Sequence, residues 1–406
     1  MREIFLVNLS GTDKIGQTNA LTAVLSEHGV NILDIGQAVI HDTLSLGMLI
    51  EIPAGANSAP ALRDILFKSH ELGLTTKFTP VSVDDYEQWV SEQGKPRYII
   101  TLLGPVIEAN HILAISKVIS SNGLNIDSIK RLSGRKSLEK VTEYIRSCIE
   151  ITVRGIPGNI DDMRARFLDI SKELGIDISF QIDNVYRRNR RLVVFDMDST
   201  LIQVEVIDEL AKAAGVGDEV SGITEQAMRG ELDFKESFAR RLSLLKGLDE
   251  NVLEEIAQNL PLTRGALHLV TTLKKIGYKT AIISGGFQYF GNHLQKLLGI
   301  DYVFANKLEI ENGTVTGRVI GEVVDAQRKA EILKQIAADE KINLEQVIAI
   351  GDGANDLPML SVAGLGIAFN AKPIVRENAK HSISNLGLDG VLYLLGVRDR
   401  DLFDHS

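Results

Sequence analysis

One cysteine, Cys148, and one tryptophan, Trp89, serve a chain of 406 residues. A lone cysteine excludes an internal disulfide and fits a reducing compartment, so a cytoplasmic protein is expected. No run approaches the roughly 18 apolar residues that a membrane span requires. The first residues carry Glu3 early and only a short apolar run behind it, which is not the make-up of a signal peptide. Positive charge is not in excess either: 44 lysines and arginines against 54 acidic residues leave a formal charge of −10. That balance argues against a nucleic-acid surface, which needs a basic face. The one basic run, Arg187-Arg188-Asn189-Arg190-Arg191, is expected to be a solvated linker. What is present is 44% hydrophobic residues, ample for real cores in two to four domains.

The chain is organised around Leu192-Val193-Val194-Phe195-Asp196-Met197-Asp198-Ser199-Thr200-Leu201-Ile202. Its apolar start, with Val-Val at the centre, predicts a buried strand of a parallel sheet. Open α/β sheets carry their chemistry just beyond the carboxyl ends of their strands, which is where Asp196 and Asp198 fall. On an extended backbone residues i and i+2 point the same way. Two carboxylates would then share one small site, and that needs a cation or a shared proton. An ordinary acidic turn contains the same residue types. Three later stretches decide between the two readings.

Residues 1–82 alternate strand and helix patterns. Strand Ile4–Leu9, helix Ile15–His28, strands Val30–Ile40 and Leu46–Ile52, helix Ala59–Leu72 and strand Leu74–Pro80 give the order βαββαβ, a ferredoxin-like unit. Residues 96–184 repeat it. Gly29-Val30-Asn31-Ile32 returns as Gly123-Leu124-Asn125-Ile126, offset by 94 residues, and Glu71-Leu72-Gly73-Leu74 as Glu173-Leu174-Gly175-Ile176, offset by 102. The charged run Arg135–Arg146 accommodates the extra residues as a long hairpin tip. A repeat of this period means duplicated domains rather than a solenoid. Between the copies, Val83–Pro96 reads as an acidic linker with a helical turn.

Each copy resembles the ACT domain, a small-molecule regulatory module of amino-acid metabolism. That resemblance implies an amino-acid effector at Asp13-Lys14-Ile15-Gly16, with Asp13 and Gly16 at the contact. The second copy has Ile107-Glu108-Ala109-Asn110 there and departs from the pattern. A role in dimerisation alone is the alternative, and a homodimer is expected.

After Ile202 the pattern turns helical. Val206, Ile207, Leu210, Ala211 and Ala214 share one face, and Gly215 stops the helix. Further helices run to Leu260, so residues 205–262 are expected to form a cap that excludes water above the strand ends. The sheet resumes at Lys279–Ser284, Tyr302–Ala305, Gln346–Ile350 and Gly366–Phe369, with a hairpin turning at Asn312-Gly313.

Three stretches join Asp196-Met197-Asp198-Ser199-Thr200. Ser284-Gly285-Gly286 ends an apolar strand and opens a helix, where backbone amides can approach an anion. Lys329 starts a helix and could neutralise phosphoryl charge, although a surface lysine is the ordinary alternative. Gly351-Asp352-Gly353-Ala354-Asn355-Asp356 places two carboxylates at a strand end, which suits a hard ion such as Mg²⁺. In this order the four pieces resemble the haloacid-dehalogenase superfamily of phosphatases. The resemblance implies Asp196 as nucleophile through an aspartyl-phosphate and Asp198 as acid and base. It also implies Mg²⁺ on Asp196, the Asp198 carbonyl and Asp352, with Thr200 and Asp356 behind them. Such chemistry needs neither cysteine nor histidine, and the chain has 1 and 8 of these.

Within that superfamily the chain is most similar to the phosphoserine phosphatase family. Glu205 follows the Asp pair as in that family, and Phe234-Lys235-Glu236-Ser237-Phe238-Ala239-Arg240-Arg241 matches its Phe-x-x-Ser-x-x-x-Arg stretch. The resemblance implies O-phospho-L-serine as substrate. Glu205 would face the ammonium and an arginine the carboxylate. Met228 and Phe234 would supply an apolar wall, with Ser284, Gly285, Gly286, Lys329 and Asn355 around the phosphate. Phe234, Phe238, Leu242 and Leu245 form one helical stripe; Arg241 falls on its edge while Arg240 points away. The expected class is therefore α/β: a Rossmann-like parallel-sheet core over residues 190–406 with an inserted helical cap, preceded by two ferredoxin-like domains. A phosphatase for another small phospho-hydroxy compound, or an inactive amino-acid sensor, are the rival readings. The complete sheet beyond residue 184 leads to the expectation that this part folds alone.

Overall fold

The computed structural model of the protein describes residues 2–55, 57–135, 139, 146–229 and 231–402, the side chains of Met228 and Phe234 excepted. Most of the Arg135–Arg146 insertion lies outside the described residues. The chain divides into two compact units, residues 1–95 and 96–406.

The first unit runs β1 (Glu3–Thr12), α1 (Gln17–Glu27), β2 (Asn31–Ile40), β3 (Thr43–Ile52), α2 (Ser58–Glu71) and β4 (Leu74–Val81). Its antiparallel sheet has the order β2-β3-β1-β4. Alternate residues Leu44, Leu46, Met48 and Ile50 of β3 meet Leu21, Leu25 and Ile65 of the helices in one core. Beyond β4 the expected linker is a helix, α3 (Val83–Glu92). Ser82 caps it by accepting from Asp85 N, and Asp84 and Asp85 suit the positive end of the helix dipole.

The second unit opens with β5 (Arg97–Gly104), α4 (Ala109–Ser121), β6 (Asn125–Arg131), β7 (Ser147–Arg154), α5 (Ile160–Leu174) and β8 (Asp177–Ile182). Its antiparallel sheet has the order β6-β7-β5-β8, the same arrangement as the first. In the loop before α4, Glu108 N donates to His111 Nδ1 at 2.9 Å, closing a capping box.

A larger sheet follows, and its elements in chain order are these. First come β9 (Leu192–Phe195), then α6 (Val206–Ala213), α7 (Gly217–Met228), α8 (Phe234–Ser243) and α9 (Asn251–Gln258). Next are α10 (Ala266–Lys275), β10 (Lys279–Phe287), α11 (Gln288–Leu298), β11 (Tyr302–Glu311) and β12 (Thr314–Ile320). Last are α12 (Ala326–Asp339), β13 (Val347–Gly351), α13 (Leu357–Val362), β14 (Leu365–Phe369), α14 (Pro373–Asn378) and β15 (His381–Ile383). The seven-stranded order is β12-β11-β10-β9-β13-β14-β15, parallel except for β12. β9 lies at its centre, and its side chains alternate between two cores: Val193 and Phe195 on one face, Leu192 and Val194 on the other. An antiparallel bridge between Ile202 and Leu262 closes the base of the α6–α9 insertion. The β11–β12 hairpin turns with Asn312 at φ 51° and Gly313 at φ 80°, both left-handed as a type I′ turn demands.

The basic run corrects the expectation of a solvated linker. Arg187 and Arg190 are buried. Arg187 Nη2 donates to Glu150 Oε2 at 2.7 Å, and Arg190 donates to Gln181 Oε1 and the Glu345 carbonyl, each at 3.3 Å. These hooks belong to an extensive seam between the second ferredoxin-like sheet and the larger one. Leu103, Leu132 and Cys148 share a single apolar cluster with Leu388, Val391 and Leu394. Asp177, fully buried, accepts from Ser384 N at 3.0 Å, Asn385 N at 2.8 Å and Asn385 Nδ2 at 3.1 Å.

Candidate active site

Three neighbouring strands, β10, β9 and β13, end at one place, so their carboxyl ends bring together residues distant in sequence. Asp196 follows β9 directly. Its Oδ1 accepts from Met197 N at 2.8 Å and lies 2.9 Å from Lys329 Nζ. Lys329, on the first turn of α12, is fully buried; its Nζ also donates to Asp356 Oδ1 at 2.7 Å. The ordinary reading of Lys329 as a surface lysine is thereby excluded. Asp356 Oδ2 in turn accepts from Gly353 N at 3.0 Å, fixing the loop after β13.

Asp198 sits in a loop that Ser199 turns with a left-handed φ of 55°. Its Oδ1 accepts from Val206 N at 3.0 Å, at the start of α6, so the cap's first helix holds this carboxyl. Ser199 Oγ donates to Glu205 Oε1 at 2.7 Å, and Ser284 Oγ stands 3.5 Å from Asp198 Oδ2. Thr200, buried, donates to Asp352 Oδ1 at 3.1 Å. A Cβ on Gly286 would run into Asp198 Oδ2, so only glycine permits this approach.

Ser284, Gly285 and Gly286 still belong to β10, and α11 opens at Gln288, beyond the expected helix start. The β10–β11 register breaks between Ile283 and Phe287, freeing this stretch from the ladder. Asn306, buried at the end of the parallel pairing, holds it: Nδ2 donates to Gly285 O at 2.7 Å and Oδ1 accepts from Val324 N at 2.9 Å. Sequence reasoning did not single out Asn306. Its only signal was an amide interrupting an apolar strand.

The electrostatics follow from burial of many carboxylates beside one cation. Burial, reinforced by Asp356, pushes Asp196 well above the usual carboxylate range, with Lys329 opposing. Burial and Glu205 raise Asp198 to about 8, and burial and Asp356 raise Asp352 to about 7. Burial alone would depress Lys329, but Asp196 and Asp356 more than offset it and keep the ammonium charged. Carboxylate oxygens of Asp196, Asp352 and Asp356 come within 4.8 Å of one another. Hard oxygen donors in such surplus over positive charge fit a divalent cation. Among them Asp352 is the one not already tied to Lys329.

In the cap, Arg241 is half-buried and its Nε donates to Ser237 O at 3.4 Å. Burial pulls its guanidinium below the ordinary value, while the charges of Asp208 and Glu205 oppose that shift. Arg240 is exposed and pairs with Glu236 at 2.6 Å. Asn355 lies partly buried in the turn after β13, against Gly353. The side chains of Met228 and Phe234 lie outside the described residues. Asp13 and Gly16 belong to the first unit, where Gly16 takes φ 90° before α1.

The chain matches the family model of haloacid dehalogenase-like hydrolases over residues 190–364 and ACT-domain models over residues 3–79 and 97–181. It is 39% identical over 393 residues, 97% of this chain and 93% of the other, to phosphoserine phosphatase SerB2 of Mycobacterium tuberculosis. A phosphoserine phosphatase of Streptomyces coelicolor is 40% identical, covering 97% of this chain and 92% of that one. Among solved structures, a probable phosphoserine phosphatase from Vibrio cholerae superposes with a TM-score of 0.58 at 35% identity, over 75% of this chain and 88% of that one.

Proposed function

Since the chain belongs to the phosphoserine phosphatase family, we propose that it hydrolyses O-phospho-L-serine to L-serine and phosphate, the closing step of serine synthesis. The observation that carries this reading is the buried Asp196–Lys329–Asp356 array at the strand ends, roofed by a helical insertion that bears Glu205 and Arg241.

Asp196 Oδ1 is engaged by Met197 N and Lys329, which leaves Oδ2 as the oxygen that attacks phosphorus. The new P–O bond makes an aspartyl-phosphate while the bond to the serine oxygen breaks. Asp198, held by Val206 N, gives that oxygen its proton. It then takes a proton from water as the water attacks the same phosphorus, and Asp196 is released. Lys329 and the amides around Gly285 and Gly286 offset the phosphoryl charge. Mg²⁺, held by Asp196, Asp352 and the Asp198 carbonyl, would shield the phosphate so that an anionic nucleophile can approach. Thr200 donates to Asp352, and Asp356 holds Lys329 beside Asp196. Glu205 meets the substrate ammonium, and Arg241 its carboxylate by paired hydrogen bonds. Asn355 adds an amide near the phosphate.

No helix among the described residues is long and apolar enough to cross a membrane. The ACT-domain matches support a homodimer and an amino-acid effector at Asp13–Gly16. Asp13→Ala is the probe for that loop; Gly16 is a poor one, because its φ of 90° strains any side chain.

A phosphate-release panel of small phosphomonoesters, with and without Mg²⁺, tests the reading. O-phospho-L-serine should be the preferred ester and the reaction should need the metal. A flat profile across esters would remove the specificity, and no release from any ester would remove the activity.

A further inference from the structure

A cavity of about 330 Å³ opens along the seam between the second ferredoxin-like domain and the large sheet, bounded by α5 and β8 on one side and α14 and β15 on the other. That volume suits a small molecule. β15 stands three strands from β9 in the sheet order, so the cavity is separate from Asp196. Phe167, Ile178 and Phe180 give it an apolar wall.

Three cations stand around that wall: Arg164, Arg376 and Lys380. Among the described residues neither Arg376 nor Lys380 makes an ion pair, and Arg164 touches only the exposed Asp161, at 3.4 Å. Asp177, the buried carboxylate that feels the charge of Arg376, is already saturated by Ser384 and Asn385. The acids on the lining itself are Asp161 and Glu377, and Glu377 is taken by Lys172 at 2.8 Å. The Nε atoms of Arg164 and Arg376 are buried without a hydrogen-bond partner. So is the hydroxyl of Ser171, a residue only 4% exposed that lines the same cavity. Buried polar atoms are as a rule paired, and three orphans around one cavity point to an acceptor that completes them.

We propose that this seam cavity binds a small organic carboxylate, its apolar body against Phe167 and Phe180 and its anionic head among Arg164, Arg376 and Ser171. Arginine pairs with carboxylate through two parallel hydrogen bonds, and among the described residues neither Arg376 nor Lys380 has an ion-pair partner to compete for it. The body is apolar because the wall is, which separates this ligand from free phosphate. An occupant would touch both domains at once and stabilise their seam by mass action.

Isothermal titration of the full chain with benzoate tests this, with benzamide as the uncharged body and inorganic phosphate as the bodiless anion. Benzoate should bind saturably, and binding should persist in Arg241→Ala, which removes the cap arginine instead. Arg376→Met should weaken it about tenfold, the loss of one charge-assisted pair. Lys380→Gln, an exposed change that leaves packing intact, should weaken it severalfold. Benzamide binding as tightly as benzoate would overturn the proposal. So would binding that Arg241→Ala abolishes while Arg376→Met and Lys380→Gln leave it unchanged, or no saturable binding up to the solubility limit.

Discussion

The hydroxyl of Ser179 and Nδ1 of His381 lie 2.9 Å apart, both buried, on strands of two different domains. Between the same two domains Gln181 Nε2 donates to the Leu394 carbonyl at 3.1 Å, and Arg146 spans Asp389 and Asp399 at 2.5 and 3.1 Å. The second ferredoxin-like domain is thus part of the interior of the phosphatase unit rather than an appendage to it.

His381 should make stability acid-sensitive. Burial and the charges of Arg190, Arg164 and Lys380 lower its pKa from 6.5 to about 3, so the folded chain keeps the ring neutral. The unfolded chain binds the proton first, and this contribution is complete above pH 6.5 and lost as pH falls towards 3. At 1.36 kcal/mol per unit, the loss between pH 7 and pH 5 is about 2 kcal/mol. Urea midpoints of wild type and His381→Gln at both pH values measure it. The variant should lose about that much less; equal losses would show that His381 is not the group responsible.

The seam also decides where the chain can be cut. A fragment of residues 96–406 should fold and keep basal Mg²⁺-dependent activity within an order of magnitude, because it retains the whole second unit. A fragment of residues 185–406 should aggregate or fail to unfold cooperatively. It would expose Leu388, Val391 and Leu394, leave His381 without Ser179, and leave Arg190 with the Glu345 carbonyl but without Gln181. Cooperative melting and full activity of the shorter fragment would show that the seam contributes little.

Much of this was legible in the sequence, and the misses share a cause. Asp196, Asp198 and Asp352 were readable because a strand end is a local feature: an apolar run stops and the chemistry follows at once. The βαββαβ repeat was readable because periodicity is also local. Arg187 and Arg190 were read as solvated because their partners, Glu150, Gln181 and the Glu345 carbonyl, are remote in sequence. Asn306 gave no warning for the same reason. Its two bonds reach Gly285 and Val324, about twenty residues away on either side. The expectation that the chain beyond residue 184 folds alone took no account of the Ser179–His381 contact between β8 and β15, which no local pattern announces.

Asp196→Asn should abolish both turnover and trapping of a phosphoenzyme, because an amide is no nucleophile towards phosphorus. Asp198→Asn should still form the site but lose acid–base help, roughly 10²–10⁴-fold in rate. Quench-flow with labelled substrate separates the two. Labelled protein at wild-type levels in Asp196→Asn would move the nucleophile elsewhere.

Asn306→Ala should lower kcat/KM by roughly ten- to a hundredfold, because each buried partner left unpaired costs about 1–3 kcal/mol. Asn306→Asp keeps an acceptor for Val324 N–H but sets a carboxylate against the Gly285 carbonyl. It should recover part of the rate as pH is lowered and the new carboxyl protonates to donate again. Activity ratios to wild type across pH, with melting temperatures alongside, read this out. A loss of rate that only tracks the loss of folded protein would leave Asn306 a packing residue.

Arg241 and Arg240 are adjacent on α8, yet their surroundings differ in kind. Arg240 is spent on a surface pair with Glu236, and such exposed pairs contribute little. Arg241 is half-buried, with the charges of Glu205 and Asp208 acting on it. In the proposed site it is the group that meets the substrate carboxylate, so its deletion should be specific to substrates that carry one. Arg241→Ala should cut kcat/KM for O-phospho-L-serine by about ten- to a hundredfold, the equivalent of roughly 1.5–3 kcal/mol for a charge-assisted pair. The same variant should lose much less on an aryl phosphate, which has no carboxylate to recognise. Arg240→Ala should leave both substrates within about twofold, as surface substitutions usually do. Steady-state kinetics of three proteins on two substrates give the full matrix. Equal losses on both esters would make Arg241 a general support of the cap, and a large effect of Arg240 alone would reverse the helical phase on which the assignment stands.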